Sequence, residues 1–309
     1  MINNTHIIIL EKGLNERYKY LIDKYHLTPH YFNFDNTITL INKYLTKNVL
    51  KNTIENFITY AKTNDIRTVY LSNAEGYIAH NTIILIKEKI PNIKIIALQH
   101  GLFPFKIKYK LIRKLFNYFT KIFLDIFFYG VGFGGILNID KYLVYATPYK
   151  NYLLQNGWEE NNVIIGPEIL KAEFFDNRKT TINNNSKSAL FLPQGLSISG
   201  LISKNEEKII NKNVIKYLAK NYEKVIIKMH PLCLDNVSGI MLDNCVIYDN
   251  LLESFEESDI AYSFFSTSLL DAQIFGLKTI SIILTSSKID KNLYKIFPKT
   301  ISYSQIINN

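Results

Sequence analysis

A chain of 309 residues with 47% hydrophobic side chains can fill about two apolar cores, which excludes a disordered or fibrous protein. Its two cysteines, Cys233 and Cys245, form no CxxC pattern, which excludes a disulfide framework and a cysteine zinc site and fits a reducing cytoplasm. The net charge of +9 points to acidic partners: nucleic acid, anionic lipid or a phosphorylated substrate.

The chain begins without a basic region or a small-residue cleavage site, so Ile7 to Leu10 reads as a first strand and not as a signal peptide. A helical stretch from Asn15 to Tyr25 follows, then a short strand around Tyr31 to Phe34. Apolar residues then recur at helical spacing from Thr37 to Ala61, among them Tyr44, Leu45, Ile54 and Phe57. Thr68 to Leu71 is the next strand, ending in the polar run Ser72-Asn73-Ala74-Glu75-Gly76 before a helix that reaches Lys89. Glu75 there is either a chemical group or a charge favoured by the helix dipole. Strand Lys94 to Leu98 ends in Gln99-His100-Gly101. His100 beside a glycine is accessible to a substrate, or is a structural histidine bonded to a loop carbonyl.

Between Phe103 and Phe133, Lys106, Lys108, Lys110, Arg113, Lys114 and Lys121 interleave with aromatic and aliphatic residues. The apolar run is too short and too charged to span a bilayer. It reads either as a surface helix lying on anionic lipid or as a helix packed on the sheet with its lysines in water. Nucleic acid is the weaker partner, since no stacking sheet or helix-turn-helix pattern accompanies the charge. The glycines from Gly130 to Gly135 lack a preceding strand and a phosphate-loop lysine, so they read as a flexible connection. Strand Lys141 to Tyr145, helix Pro148 to Leu154 and strand Val163 to Ile165 close a first domain, residues 1–175.

The polar stretch Asp176 to Ser188 has no periodicity and reads as a linker. A second β/α series, residues 188–309, opens with strand Ala189 to Leu192, which ends in Pro193-Gln194-Gly195. Helix Asn205 to Tyr222 leads to strand Val225 to Lys228, which ends at Met229-His230-Pro231. Strand Val246 to Tyr248, helix Leu251 to Glu256 and strand Ile260 to Phe265 continue the alternation. Ser266 then caps a helix over Leu269 to Phe275, closed by Gly276 before strand Thr279 to Leu284. A strand end, the hydroxyls of Ser266, Thr267 and Ser268 and a helix N-terminus together favour an anion, and phosphate is the usual occupant. The fold class implied is α/β, with two Rossmann-like domains facing across a crevice.

The His230-Pro231 pair, followed by Ser266-Thr267-Ser268 at the start of a helix, resembles the GT-B group of bacterial sialyltransferases and capsular polysaccharide glycosyltransferases. The resemblance covers the C-terminal half well and the N-terminal half thinly. It implies that His230 and the three hydroxyls hold the phosphate of a CMP-sugar. The Gln194-Gly195 turn is expected to face the same edge as His230 and Ser266, so Gln194, Gly195 and Pro231 are counted with the donor site, and residues 1–175 are expected on the acceptor side. Relatives of this group carry an acidic-acidic-glycine motif whose first acid is the base; here Ala74 holds that position and only Glu75 and Gly76 match. Glu75 or His100 is then the expected base, with His230 stabilising the departing phosphate. Gln-His-Gly at 99–101 is similar to a run in bacterial surface-polysaccharide transferases.

The leading expectation is an inverting, metal-independent glycosyltransferase without a bound cofactor. It would move an acidic sugar, a sialic acid, other nonulosonate or Kdo-like residue, from a CMP donor to a surface glycan or glycolipid, cytoplasmic and peripheral on an anionic membrane. A CDP-glycerol glycerophosphotransferase, a UDP-sugar transferase or epimerase of the same fold, and a non-catalytic membrane-associated glycan-binding protein are the alternatives.

Overall fold

The structure is a computed structural model that describes residues 5–11, 15–32, 40–72, 74, 76–99, 110–130, 133–134, 139–166, 177, 179, 187–229, 242–286 and 288–308. The chain divides into two compact units, Met1–Ala172 and Glu173–Asn309.

The first unit runs β1 (His6–Glu11), α1 (Asn15–Tyr25), β2 (Thr28–Phe32), α2 (Leu40–Thr63), β3 (Thr68–Leu71), α3 (Tyr77–Lys89), β4 (Lys94–Leu98), α4 (Lys110–Leu124), β5 (Lys141–Val144), α5 (Thr147–Gln155) and β6 (Val163–Ile165). Its six strands are parallel in the order β2-β1-β3-β4-β5-β6. Ile7, Ile8, Ile9 and Leu10 are all fully buried, as a strand covered on both faces requires, which is why β1 reads as an unbroken apolar run. Ile54, Phe57 and Ala61 of α2 and Ile78, Ile83 and Ile86 of α3 supply buried helix faces. β2 begins earlier than the expected Tyr31 and includes Pro29. A proline is tolerated there because β2 is the edge of the sheet, where a missing amide breaks no ladder on its outer side.

At Phe133 and Gly134 the structure corrects the reading of the glycine run as a flexible connection, while Gly132 and Gly135 lie outside the described residues. The Phe133 ring is buried against Tyr142 and Tyr149 at 5.1 and 5.2 Å between centroids. Gly134 accepts a hydrogen bond from Trp158 Nε1 at 2.9 Å and has φ +70°, and a Cβ on it would stand 2.2 Å from Leu153 Cδ2. Close packing rather than flexibility requires a glycine at this position.

The second unit runs β7 (Ser188–Phe191), α6 (Lys204–Asn221), β8 (Lys224–Lys228), β9 (Cys245–Tyr248), α7 (Leu251–Glu256), β10 (Ile260–Ser263), α8 (Thr267–Phe275), β11 (Lys278–Ile283), a 3-10 turn at Lys291–Ile296, β12 (Thr300–Ser302) and α9 (Tyr303–Ile307). Its strands are again all parallel, in the order β12-β11-β10-β7-β8-β9. α6 starts with a capping box in which Ser203 and Glu206 satisfy each other's backbone amides. α8 stops at Gly276, whose φ of +102° and the Lys179 carbonyl 2.7 Å from a Cβ built there both exclude a side chain.

From β7 the chain moves outward through β8 and β9, then crosses back so that β10 lies on the other side of β7. β1 and β3 are related in the same way in the first sheet. In open α/β sheets ligands bind outside the carboxyl ends of the strands at such points of reversal.

Candidate functional site

The reversal between β7 and β10 is where the chain gathers its best-organised polar residues. Gln194 leaves β7 and reaches across to the loop after β10, where its Nε2 donates to the Phe265 carbonyl at 2.9 Å and its Oε1 accepts from Phe265 N–H at 3.2 Å. Ser263 Oγ donates to the Leu192 carbonyl at 2.7 Å, and Ser281 Oγ donates to the Phe264 carbonyl. Three neighbouring strands are therefore tied together by half-buried Gln194 and two buried serines, so the start of α8 is held at a fixed place relative to the Gln194-Gly195 turn.

Ser266 is the N-cap of α8, its side chain accepting from Ser268 N–H at 3.2 Å. That bond uses a lone pair and leaves the Ser266 hydroxyl hydrogen free to donate elsewhere. The Thr267 and Ser268 hydroxyls are half-buried and meet no hydrogen-bond partner among the described residues. With the positive end of the α8 dipole, this is the composition of an anion site.

The turn itself is shaped from below by Glu207. Its carboxylate is fully buried in α6 and accepts from Leu196 N–H at 2.8 Å, from Ser197 N–H at 3.3 Å and from Ser197 Oγ. Beyond β11, Leu284 N–H donates to the Tyr294 hydroxyl at 3.0 Å, and burial pushes that phenol up to about 12, so it stays neutral near neutral pH. A cavity of about 510 Å³ opens at the same edge of the sheet, between Ser203, Asn205 and Glu206 of the α6 start and Thr285, Ser286 and Tyr303.

Of the residues singled out from the sequence, Gln194, Gly195, Ser266, Thr267 and Ser268 stand at this one edge, joined through the Gln194 bond to Phe265. Glu75, His100, His230 and Pro231 lie outside the described residues. Their described neighbours end parallel strands: Ser72, Ala74 and Gly76 follow β3, Gln99 follows β4 and buried Met229 follows β8. Gly76 is the N-cap of α3 and offers no side-chain cap. Ser72 Oγ is buried without a partner among the described residues, and it follows β3 at the β1/β3 reversal. Gln99 is buried and accepts from Tyr145 N–H at 3.0 Å, so it ties the ends of β4 and β5. No group of three His, Cys, Asp or Glu residues among the described ones is placed to hold a metal ion.

Glu207, Ser263 and Ser281 were invisible to sequence reading. Glu207 follows a capping box in a helix rich in charge, and no local pattern separates a buried carboxylate from the solvated ones beside it. Ser263 and Ser281 sit inside apolar strand runs, where a serine alone signals only a gap in hydrophobicity.

No protein-family model and no curated protein matches the sequence. Solved structures do match it in fold. A co-structure of S. aureus MnaA with UDP superposes with a TM-score of 0.55 at 11% identity, over 98% of this chain and 86% of that one. The UDP-GlcNAc 2-epimerase from Neisseria meningitidis bound to UDP-GlcNAc gives 0.54 at 14% identity, over 98% and 81%. The glycotransferase of kitacinnamycin gives 0.54 at 9% identity, over 97% and 86%. The two parallel six-stranded α/β sheets of this chain thus form the GT-B-like fold shared by glycosyltransferases and UDP-GlcNAc epimerases.

Proposed function

We propose that the protein is a nucleotide-sugar-dependent enzyme that binds the phosphates of a UDP-activated sugar at the β7/β10 reversal. The observation that carries this reading is the two-bond link between Gln194 and Phe265, which fixes the start of α8 beside the Gln194-Gly195 turn. Donors organised before the ligand arrives stabilise a departing diphosphate without reorganisation. UDP and UDP-GlcNAc in the names of two structurally similar proteins support a uridine donor over a cytidine one.

In sugar transfer, the acceptor oxygen forms a bond to the anomeric carbon as the bond from that carbon to the phosphate oxygen breaks. The leaving electron pair passes to the diphosphate at the α8 start, and the acceptor proton goes to a base, for which Glu75 or His100 is the assignment we propose. Epimerisation of the same donor is the neighbouring chemistry. A CMP donor of an acidic sugar is the second reading, favoured by His230-Pro231 together with Ser266-Thr267-Ser268.

Thermal stabilisation by a panel of UDP-, CMP- and CDP-activated donors tests the reading, because a ligand that binds only the folded state raises the melting temperature. Stabilisation by UDP-sugars, reduced in His230→Ala, is the expected result. Released UDP with a glycosylated acceptor marks transfer, and an altered sugar still on UDP marks epimerisation. Stabilisation by CMP-sugars alone would install the second reading, and no response to any nucleotide would sink both. Binding without turnover would leave a glycan- or nucleotide-binding protein.

A further inference from the structure

Helix α4 is built inside out. At 3.6 residues per turn all its apolar residues except Leu124 occupy an arc of about 160°, and that arc faces water: Leu111, Ile112 and Phe123 are 71%, 64% and 76% exposed, and Leu115, Phe119 and Ile122 are exposed with them. The opposite, polar stripe is what packs on the fold. Asn117 and Thr120 are buried. Asn117 Nδ2 donates to the Tyr129 carbonyl at 2.7 Å, and its Oδ1 accepts from the backbone N–H groups of Phe128 and Tyr129 at 3.1 and 2.8 Å. Lys121 pairs with Asp125 at 2.8 Å, and the Arg113 guanidinium lies over the Tyr129 ring at 5.6 Å.

The segment that receives this stripe is clamped from the other side as well. Asn81 exchanges two bonds with the Phe127 backbone, each at 2.8 Å, and Lys43 donates to the Phe128 carbonyl at 3.0 Å. Lys51 pairs with Asp125 at 2.9 Å, which brings α2 to the same corner, and α2 exposes Tyr44, Leu45 and Val49. The outward face is thus a consequence of specific polar anchoring, not of a loosely placed helix.

The charge around the arc selects its occupant. α4 contains no acidic residue, and its cations Arg113, Lys114 and Lys121 all lie outside the arc, with Lys114 on one border and Arg113 on the other. Among the described residues no helix is long and apolar enough to cross a membrane. An aromatic-rich apolar arc bordered by cations fits an interface of acyl chains beneath negative headgroups. We propose that α4 lies in the surface of an anionic bilayer, with Leu115, Phe119 and Phe123 among the acyl chains and Lys114 and Arg113 at the headgroups. This is independent of the donor and of the reaction.

Sedimentation with vesicles of phosphatidylcholine plus phosphatidylserine, against phosphatidylcholine alone, tests it with the full chain. The wild-type protein should pellet with the anionic vesicles and lose most of that binding in high salt. Leu115→Glu combined with Phe119→Glu should weaken binding at least about tenfold at unchanged melting temperature, since both side chains are exposed. Phe123→Trp provides an insertion probe that leaves the anchoring stripe intact: its emission should shift to the blue on adding anionic vesicles, above the constant background of buried Trp158, the one native tryptophan. Wild-type protein that ignores anionic vesicles at low salt, or a Phe123→Trp probe that stays in water when bound, overturns the proposal. So does a wild-type dimer by light scattering that the double replacement dissociates, because the arc would then seat a second copy of the chain.

Discussion

Gln194 and Phe265, separated in sequence by α6, β8, β9, α7 and β10, exchange two hydrogen bonds between one side-chain amide and the backbone N–H and C=O of Phe265. A glutamine amide offers a donor and an acceptor on one planar group without depending on its protonation state, so it can bond both halves of the Phe265 backbone at once. The link spans the one place in the second sheet where strand order reverses. Replacing Gln194 by alanine should cost about 1 to 3 kcal/mol of stability. UDP affinity by calorimetry should fall by about tenfold or more, as the α8 start loses its fixed position. Gln194→Glu keeps the acceptor and loses the donor, so it should fall between the two. Unchanged affinity in a folded Gln194→Ala protein would detach the link from the site.

The three hydroxyls at the α8 start should separate by role. Ser266→Ala removes the cap and should cost about 1 kcal/mol in chemical denaturation. Thr267→Val with Ser268→Ala removes groups that bond nothing described, so stability should move by less than about 0.5 kcal/mol while UDP binding weakens. A double variant that binds UDP like wild type would leave these hydroxyls as solvent-facing polar groups.

Glu207 shapes the Leu196-Ser197 turn from inside the core. Glu207→Ala leaves two amides without their acceptor and should destabilise by roughly 2 to 4 kcal/mol. Glu207→Gln retains one acceptor oxygen and should recover part of the loss. Equal melting temperatures for the two variants would show that neither side-chain volume nor one retained acceptor oxygen recovers the loss, and that the turn needs the whole carboxylate.

His80 gives the fold a pH dependence. Burial lowers its pKa from the ordinary 6.5 to about 4, opposed by the Tyr129 carbonyl 3.5 Å from Nδ1 and helped by the Lys121 charge, and the ring stacks on Phe127 at 4.0 Å. The unfolded chain therefore takes up a proton near pH 6.5 that the folded chain refuses until about pH 4. Stability from this group is complete above pH 6.5, declines as pH falls through that window and should total about 3 kcal/mol. Urea denaturation of wild type and His80→Phe at neutral and acid pH measures it: the variant should show a shallower decline. Parallel profiles would assign the acid sensitivity to other groups, His30 among them, whose pKa burial also lowers.

Much of this molecule was legible in its sequence because parallel strands buried on both faces write themselves as apolar runs. β1, β3, β4, β6 and α7 fall where Ile7 to Leu10, Thr68 to Leu71, Lys94 to Leu98, Val163 to Ile165 and Leu251 to Glu256 place them. Ser266 as cap and Gly276 as stop were equally readable, since capping chemistry is local. Which strands become neighbours was not local. The sequence placed Gln194 and Ser266 at strand ends, but only the β10-β7-β8 order brings those ends together and gives the amide of Gln194 a peptide to hold. The orientation of α4 shows the same division. Its amphipathic period is plain in the residues, and a soluble helix with that period ordinarily turns its apolar stripe to the core. Tertiary structure reversed it, because the turn at Phe127 to Tyr129 presents backbone amides and carbonyls that Asn117 satisfies and a leucine would not.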